Sequence, residues 1–425
     1  MTSRHSLAAV AGLGALALLL SGCTPASSTA SSGEGDGTLR YLVEQQEDPE
    51  FLPMIEARVA KFEERNPGIL VEIDAMPFDT MRTVLQTQLQ SGDGPDVFNW
   101  GSGPTFAGSL ADAGLLYDLT ESYEKNDWQI YDFAKDRVTV DGKIIGVPGD
   151  IETVGVYYNK TIFDDLGIDQ PENLGDLEAA AANIKQSGVI PFAVSDQEGW
   201  QAGHLLSMTL ASRVGSQGVA DLIDGEASWT SPEVVESLAL WAGYNAAGYL
   251  PEFPTAISYD GGAALFYSGE AAMLPTGSWF IPEVEANTDF EVGYIPFPSE
   301  DGAGIFTAGL GSGPLVSANT DNPEAAIKFV DFLVSEEHGQ WAVESLGTIP
   351  AFPIDTKDLE VLPLLAQVIE DTATFAAGSS DLGTNIDVVA SDLFNQTMYD
   401  GFQALFTGQK TPEQVAEELE AAARN

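Results

Sequence analysis

The chain has little cysteine and little histidine, and both shortages restrict what it can do. Its 425 residues include one cysteine and three histidines. A single cysteine cannot form an internal disulfide, so packing alone must hold the fold together. A Ser–His or Cys–His nucleophile needs an imidazole beside it, and zinc sites need clustered cysteine and histidine. We therefore predict no catalytic residue, no metal site and no cofactor, and do not expect an enzyme.

Two histidines lie beyond the N-terminal region, and the sequence predicts a structural role for each. His204 follows Trp200 in a helical stretch, where we expect it to pack or to form a hydrogen bond. His338 stands in the polar run Glu336–Gly339. We predict that this run ends a helix, where a cation would favour the helix dipole.

Positive charge is also scarce. The chain has 17 Lys and Arg against 65 Asp and Glu, a formal net charge of −48. Binding to nucleic acid or to an anionic membrane requires clustered cations, so both are excluded. A glycoside hydrolase needs only two carboxylates, and 65 acids single out no pair, so that class stays open.

Tyr157 and Tyr158 fall on opposite faces of a predicted strand, which favours core packing over capture of ferric iron.

Long apolar runs are missing after the first one, which spans Leu7 to Leu20. Arg4 and His5 precede this run, and Leu20-Ser21-Gly22-Cys23 ends it. Charge, apolar length and small residues predict a secretory signal peptide over 1–22. The ending resembles a bacterial lipobox, which implies cleavage before Cys23 and lipid on its sulfur. Residues 23–37 then form a flexible linker, with the folded part held at the outer face of the cytoplasmic membrane.

Strands alternate with helices along the rest of the chain. Period-two or apolar runs predict strands, and periods of three and four predict helices. The predicted strands are Thr38–Val43, Ile69–Ala75, Asp96–Trp100, Lys143–Pro148, Thr153–Tyr158 and Glu291–Pro296. The predicted helices include Phe78–Leu89, Glu172–Ser187 and Pro232–Ala247, one from Pro323 capped by Asn322, and one from Thr411 with a capping box to Gln414. This order favours an α/β fold, and its length favours two lobes.

Three tryptophans lie beside glycine at the ends of predicted elements. They are Trp100, Trp200 and Trp279. Indole faces stack on the C–H faces of sugars, and binding sites combine such walls with a few polar groups. Core packing at a loop edge is the alternative for each tryptophan. The recurrence favours a carbohydrate-binding cleft.

Ordered fragments along the chain resemble the family 1 extracellular solute-binding proteins of bacterial ABC importers, the sugar-type group that includes maltose-binding protein. The fragments are Phe62–Ile69, Leu85–Val97, Gly142–Pro148, Val156–Lys160, Gly269–Trp279, Pro323–Phe329 and Gly347–Ala351. They cover nearly the whole chain after the linker.

The resemblance implies a two-lobed periplasmic-binding-protein-like fold, each lobe a sheet flanked by helices, with the ligand cleft between them. Crossings between lobes would fall near Gly149 to Thr153, Tyr294 to Pro298 and Thr348 to Pro353. The N-terminal lobe would then comprise 38–150 and 294–350, and the C-terminal lobe 151–293 and 351–425.

The resemblance also implies the ligand-binding residues. These are Glu44, Gln45, Gln46, Trp100, Asp150, Glu152, Trp200, Trp279, Gly309, Gly311, Asn385 and Asp387. The two glycines would offer backbone amides. Maltose-type members carry an Asp-Lys pair where this chain has Gln45-Gln46, so the maltose assignment does not carry over.

The expected function is therefore capture of a carbohydrate, an oligosaccharide in particular, by hinged closure of the lobes. The solute would pass to two permease subunits driven by a cytoplasmic ATPase. We expect a monomer that contacts the membrane only through its lipid. A polyamine or another non-sugar solute remains an alternative on the same scaffold, because carboxylates and tryptophans also suit cations. A secreted glycoside hydrolase is a further alternative.

Overall fold

The computed structural model describes residues 37–45, 50–376 and 382–424. The strands in this part of the chain are β1 (Gly37–Glu44), β2 (Ile69–Met76), β3 (Val97–Trp100), β4 (Thr139–Val140), β5 (Lys143–Ile144), β6 (Ile151–Asn159), β7 (Ile190–Phe192), β8 (Ala271–Gly277), β9 (Val292–Ile295), β10 (Thr307–Leu310), β11 (Gly313–Val316) and β12 (Gly383–Thr384).

The α-helices in the same part of the chain are α1 (Phe51–Arg65), α2 (Phe78–Ser91), α3 (Ser109–Asp112), α4 (Thr120–Asn126), α5 (Asp132–Asp136), α6 (Lys160–Leu166), α7 (Leu174–Ser187), α8 (Gln201–Ile223), α9 (Pro232–Ala247), α10 (Tyr259–Tyr267), α11 (Ile281–Asn287), α12 (Pro323–Leu333), α13 (Glu336–Leu346), α14 (Pro363–Ala376), α15 (Asp392–Phe406) and α16 (Pro412–Ala423). Within these described residues, none of the helices is both long and apolar enough to cross a membrane.

The first sheet has the strand order β11-β3-β1-β2, with β11 antiparallel to β3 and the other pairs parallel. Helices α1 and α12 pack on it through aromatic side chains. The rings of Tyr41 and Phe62 each lie 5.0 Å from Phe329, nearly edge to face. Such pairs add to the stabilisation from apolar burial, so they help to hold α1 and α12 on this sheet.

The second sheet has the order β12-β10-β6-β8-β7, and β9 also pairs with β6. Its central strand β6 is buried over almost its whole length. Tyr157 and Tyr158 pack into two different apolar clusters on the two faces of β6, which confirms the predicted alternation. Two helix-flanked sheets of parallel and antiparallel strands confirm the α/β prediction.

The chain passes between the sheets at short glycine-containing segments. The first is Gly149 and Asp150, between the short hairpin β4–β5 and β6. The second lies at residues 311–312, between β10 of the second sheet and β11 of the first. The predicted position near Tyr294 to Pro298 is wrong, because β9 and β10 both pair with β6 in the second sheet. The prolines there belong to a loop between two strands of one sheet.

Three further local predictions have different outcomes. The capping box at Thr411 and Gln414 is present. Asn322 does not cap α12 with its side chain, which points towards β1 and donates from Nδ2 to the carbonyl of Thr38 (3.5 Å). The predicted strand Lys143–Pro148 is regular only over Lys143–Ile144, where it pairs with β4.

His338 lies in the first turn of α13, not at the end of a helix as predicted. Ser335 caps this helix by accepting a hydrogen bond from the His338 backbone N–H. The Arg58 guanidinium donates to His338 Nδ1 (3.3 Å). Burial, reinforced by Arg58, lowers the pKa of His338 to about 3. The imidazole is therefore a neutral acceptor and not a dipole-stabilising cation.

Candidate functional site

A cavity of about 1120 Å³ opens where the two sheets meet. Its wall includes Glu44 at the end of β1, Asp150 at the first crossing, Glu152 at the start of β6, and Trp279 just beyond β8. We call the space bounded by these four residues the cleft. The ends of several strands converge here, so side chains far apart in the sequence come together. Its volume suits an organic solute of more than one ring.

Four carboxylates interact electrostatically and form an acidic cluster: Glu44, Asp150 and Glu152 line the cleft, and Asp387 lies behind this lining. Burial raises the pKa of Asp150 to about 6, which the nearby Thr348 hydroxyl partly opposes. Burial raises the pKa of Glu152 to about 7, and the charges of the other three carboxylates add to that shift. Burial also raises the pKa of Asp387 to about 7, although hydrogen bonds from the backbone N–H groups of Asp387 and Val388 oppose the shift, and burial raises the pKa of Glu44. These carboxyl groups therefore take up protons more readily than exposed ones do.

Asp387 reaches this cluster because its short 3-10 turn, Ile386–Val388, lies against α8. The Ile386 N–H donates to Ser207 Oγ (2.9 Å). One turn earlier on the same helix face, Gly203 leaves room for the carboxyl group, since a Cβ there would lie 3.0 Å from the Asp387 side chain. Packing of this turn on α8, and not sequence proximity, therefore brings Asp387 to the acidic cluster.

An aromatic group lies beside the acidic cluster. It consists of Trp200, His204, Tyr259 and Trp279. The His204 ring centroid lies 5.1 Å from the rings of both Trp200 and Trp279. The Trp279 indole N–H donates to Tyr259 Oη (3.3 Å), which also pairs with Thr276 Oγ1 (2.8 Å). These contacts fix the orientation of the Trp279 indole at the end of β8.

His204 joins the aromatic group to the acidic cluster. Its Nε2 lies 3.9 Å from Asp387 Oδ2, too long for a hydrogen bond. Burial lowers the pKa of His204 to about 3, so the ring is neutral and does not form an ion pair with Asp387. The predicted packing role is confirmed, but the sequence did not indicate that the ring lies between two tryptophans and a carboxylate.

Gly309 lies in β10 and Gly311 at the second crossing, and both are close to Glu152. Gly309 pairs with Glu152 across β10 and β6. The Gly311 N–H donates to the Asp150 carbonyl (2.9 Å), so this amide is already used within the protein. A Cβ at Gly311 would lie 3.0 Å from Glu152 Oε1. Gly311 therefore leaves space for the Glu152 carboxyl group, and its amide does not serve as the free donor that the resemblance implied.

Trp100 is not among the residues that line the cleft. It is 6 % exposed and packs against Phe78 (5.5 Å) and Phe106 (5.6 Å). The packing alternative therefore describes Trp100 in this structure. Its indole N–H is buried and has no hydrogen-bond partner among the described residues.

The other predicted residues are placed as follows. Asn385 is 3 % exposed, and its backbone N–H donates to the Ala308 carbonyl (2.9 Å). Gln45 is exposed, and its backbone N–H donates to the Met76 carbonyl (3.0 Å). Gln46 and Cys23 lie outside the described residues.

A second cavity of about 270 Å³ lies on the other side of Gly309. Arg137 lines it and donates from Nη2 to Thr384 Oγ1 (3.0 Å), joining α5 to β12. Burial lowers the pKa of Arg137.

Neither Arg137 nor Tyr259 was identified from the sequence. The only local signal at Tyr259 was a serine directly before an apolar helix.

The acidic residues of the cleft were also compared with the ligand sets that metal ions need. Among the described residues, no group of three or more His, Cys, Asp or Glu side chains is arranged to hold an ion.

The chain is similar to known proteins in both sequence and fold. The sequence profile of the family "Bacterial extracellular solute-binding protein" matches residues 32–340. The multiple sugar-binding protein of Streptococcus mutans is 28 % identical over 330 residues, covering 76 % of this chain and 77 % of its own length. The maltodextrin-binding protein MdxE of Bacillus subtilis is 26 % identical over 352 residues, covering 79 % and 78 %. A solved chitin oligosaccharide binding protein superposes with a TM-score of 0.78 at 25 % identity, covering 92 % of this chain and 98 % of its own.

Proposed function

Because the chain belongs to the bacterial extracellular solute-binding protein family, we propose that it captures a carbohydrate, an oligosaccharide in particular, for an ABC importer. Members of this family are substrate-binding components of transporters and not enzymes. One observation carries the proposal: an oriented tryptophan, Trp279, and several carboxylates line one cleft between two sheets.

The chemistry of the cleft suits a sugar. The C–H faces of a pyranose are apolar and stack on indole rings, and its hydroxyls donate to carboxylates. Trp279 offers an indole, and Asp150 and Glu152 offer acceptors that line the same cleft. Hydrogen bonds to charged acceptors are stronger than those between neutral groups. The names of the similar proteins, which bind multiple sugars, maltodextrin and chitin oligosaccharide, support the same solute class.

The position of the cleft supports capture by closure. Glu44 belongs to the first sheet, Trp279 follows a strand of the second, and Asp150 lies on the segment that joins them. A solute that contacts both sheets at once stabilises the arrangement in which they approach. The closed arrangement is favoured only by those contacts with the solute that the open arrangement does not make. Closure would then present a distinct surface to two permease subunits, whose transport is driven by a cytoplasmic ATPase.

The same proposal includes a lipid anchor at Cys23. It rests on the basic, apolar and small-residue pattern that ends at this cysteine. Replacement of Cys23 by Ala should release the protein from the membrane fraction and leave solute binding unchanged. A Cys23→Ala protein that stays in the membrane fraction would contradict the anchor, and one that loses binding would contradict the separation of anchor and trap.

A thermal-shift screen tests the solute class. The protein without its first 36 residues is incubated with mono- and oligosaccharides, with spermidine, and with chromogenic glycosides. A solute at 100 times its Kd stabilises the folded state by about 2.7 kcal/mol, which raises the midpoint measurably. A shift with a carbohydrate and no release of chromophore is expected. A shift with spermidine alone would favour a polyamine carrier, and chromophore release would favour a hydrolase.

A further inference from the structure

We propose that the second cavity binds a small organic carboxylate through the guanidinium group of Arg137. This cavity has a volume of about 270 Å³. Among the described residues, none lines both this cavity and the larger one that contains the cleft. The proposal therefore concerns a second ligand, and it does not depend on which solute the cleft captures.

The first support is the isolation of Arg137 from the acids of the chain. Every other arginine that the structure describes lies within salt-bridge distance of a carboxylate; these are Arg40, Arg58, Arg65, Arg82, Arg213 and Arg424. Arg137 instead donates from Nη2 to the neutral hydroxyl of Thr384 (3.0 Å). Acidic residues outnumber basic ones by 65 to 17 in this chain, yet no described carboxylate pairs with this guanidinium.

The second support is the environment of the same group. Burial lowers the pKa of Arg137, and the charge of the neighbouring Asp136 only partly opposes the shift. Charged groups that leave water are normally paired in proteins. The side chain lines the cavity and is half-buried, so its remaining N–H groups can be reached from that space. An anion in the cavity would supply the missing partner.

The third support is the composition of the cavity wall. Apolar side chains form most of it: Phe133, Leu310, Phe375, Leu382, Val388 and Val389. The hydroxyl-bearing residues Ser102 and Thr384 also line it, and no Asp or Glu does so among the described residues. Apolar walls with a few polar groups are typical of sites for small organic molecules. The wall therefore suits a ligand with an apolar body and one charged end.

The chemistry of the two parts favours a carboxylate over inorganic phosphate. The planar fork of a guanidinium matches the two oxygens of a carboxylate, which it can bind with two parallel hydrogen bonds. The apolar walls stabilise a hydrocarbon body by removing it from water. Phosphate would use the guanidinium but would leave the apolar walls without a partner.

The cavity is built from segments that belong to both sheets. Ser102 follows β3 of the first sheet, whereas Ala308 to Leu310 and Thr384 belong to β10 and β12 of the second. Leu310 lines this cavity, and Gly311, the next residue, lines the larger one. A carboxylate bound here would thus contact both sheets and stabilise the folded protein, because the site does not exist in the unfolded chain.

Titration calorimetry with matched probes tests the proposal. Benzoate carries a carboxylate on an apolar ring, and benzamide has the same ring and a similar shape without the charge. Inorganic phosphate provides an anion without an apolar body. All titrations are performed at pH 7 and at one ionic strength, because salt screens charge attraction. We expect benzoate to bind at least about tenfold more tightly than benzamide, since hydrogen bonds between charged groups are the stronger ones, and more tightly than phosphate.

Two variants locate the carboxylate position. Arg137→Gln removes the charge and should abolish the preference for benzoate over benzamide. Arg137→Lys keeps the charge but lacks the fork, so it should bind benzoate more weakly than the natural protein does; it locates the site even if Arg137→Gln fails to fold. Arg213→Gln is the matched control, because Arg213 lines neither cavity and pairs with Glu236 (2.8 Å) and Glu300 (2.7 Å). It should keep the full preference.

Several outcomes would overturn the proposal. These are equal affinity for benzoate and benzamide, tighter binding of phosphate than of benzoate, and a benzoate affinity that is unchanged in both Arg137 variants. Absence of benzoate binding to the natural protein would also overturn it. Asp381 directly precedes Leu382 in the sequence, and recovery of benzoate binding in Asp381→Asn would then show that the chain supplies its own carboxylate. Each of these results leaves carbohydrate capture at the cleft untouched.

Discussion

The indole of Trp279 lies directly across Gly277, so that a Cβ at Gly277 would overlap its six-membered ring. Gly277 has an ordinary φ of −98°, so space and not backbone conformation requires glycine here. It ends β8, opposite Val154 of β6. The position of the indole at the cleft thus depends on the absence of a side chain at Gly277, at the end of β8 in the second sheet.

Gly277→Ala should therefore weaken solute binding although every proposed contact residue is retained. The methyl group must displace the indole, and we expect at least a tenfold loss of affinity by calorimetry, with a shift of tryptophan emission. Gly243→Ala in α9 is the matched control, because no atom lies within 4 Å of a Cβ there. Unchanged affinity and emission in Gly277→Ala would show that the ring position is not set by Gly277.

Gly149→Ala should destabilise the crossing between the sheets. A Cβ at Gly149 would overlap the carbonyl oxygen of Gly311 on the other crossing segment. Backbone cannot move aside as a flexible side chain can, and overpacking of this kind costs about 1–3 kcal/mol. The free energy of unfolding in urea should fall by that amount, whereas Gly243→Ala should lose none. An unchanged urea midpoint would mean that the crossing segments separate without cost.

Asp196→Asn should change how stability depends on pH. Asp196 is fully buried, and burial raises its pKa from 3.8 to about 8, with Glu198 reinforcing the shift and the Ala202 N–H opposing it. The unfolded state releases this proton near pH 4. The folded state therefore holds one more proton than the unfolded state between about pH 4 and pH 8. The stabilisation from this proton is complete below pH 4 and is lost as the pH rises through 8.

The asparagine variant has no such proton to lose. Relative to the natural protein, Asp196→Asn should gain stability as the pH rises, by up to about 1.4 kcal/mol per pH unit. Urea unfolding at pH 5, 6, 7 and 8 measures the two slopes. Parallel slopes would show that Asp196 titrates near its ordinary value. The other raised carboxylates are present in both proteins and cancel in the comparison.

Local features of the fold could be predicted from the sequence. The strand expected over Thr38–Val43 lies within β1, the helix expected over Phe78–Leu89 within α2, and Thr411 caps α16 as its spacing with Gln414 indicates. Apolar periodicity and capping depend on residues a few positions apart. Such signals are complete within a short window of sequence.

Features that depend on distant partners could not be predicted in this way. The second crossing was placed too early because the pairing of β9 and β10 with β6 involves residues more than 130 positions apart. The orientation of His338 depends on Ser335 beginning a new helix directly after α12. Proline density and polar composition do not distinguish a crossing from a loop, or the start of a helix from its end.

In the candidate site too, some residues could be predicted from the sequence, and others depend on contacts with distant segments. The resemblance placed Asp150, Glu152 and Trp279 together, and all three line the cleft. It did not indicate that Trp100 would be covered by Phe78 and Phe106. The contacts of His204 with Trp200, Trp279 and Asp387 depend on how the turn at Ile386–Val388 docks on α8. Their role in binding remains a prediction.

Calorimetric titration of Trp279→Ala with the carbohydrate that gives the largest thermal shift tests the central claim most directly. Trp279 is only partly buried, and its loss should leave the unfolding midpoint nearly unchanged. We predict at least a tenfold loss of affinity, because the stacking face on the wall of the cleft is removed. Unchanged affinity together with a normal unfolding midpoint would contradict carbohydrate capture at this cleft.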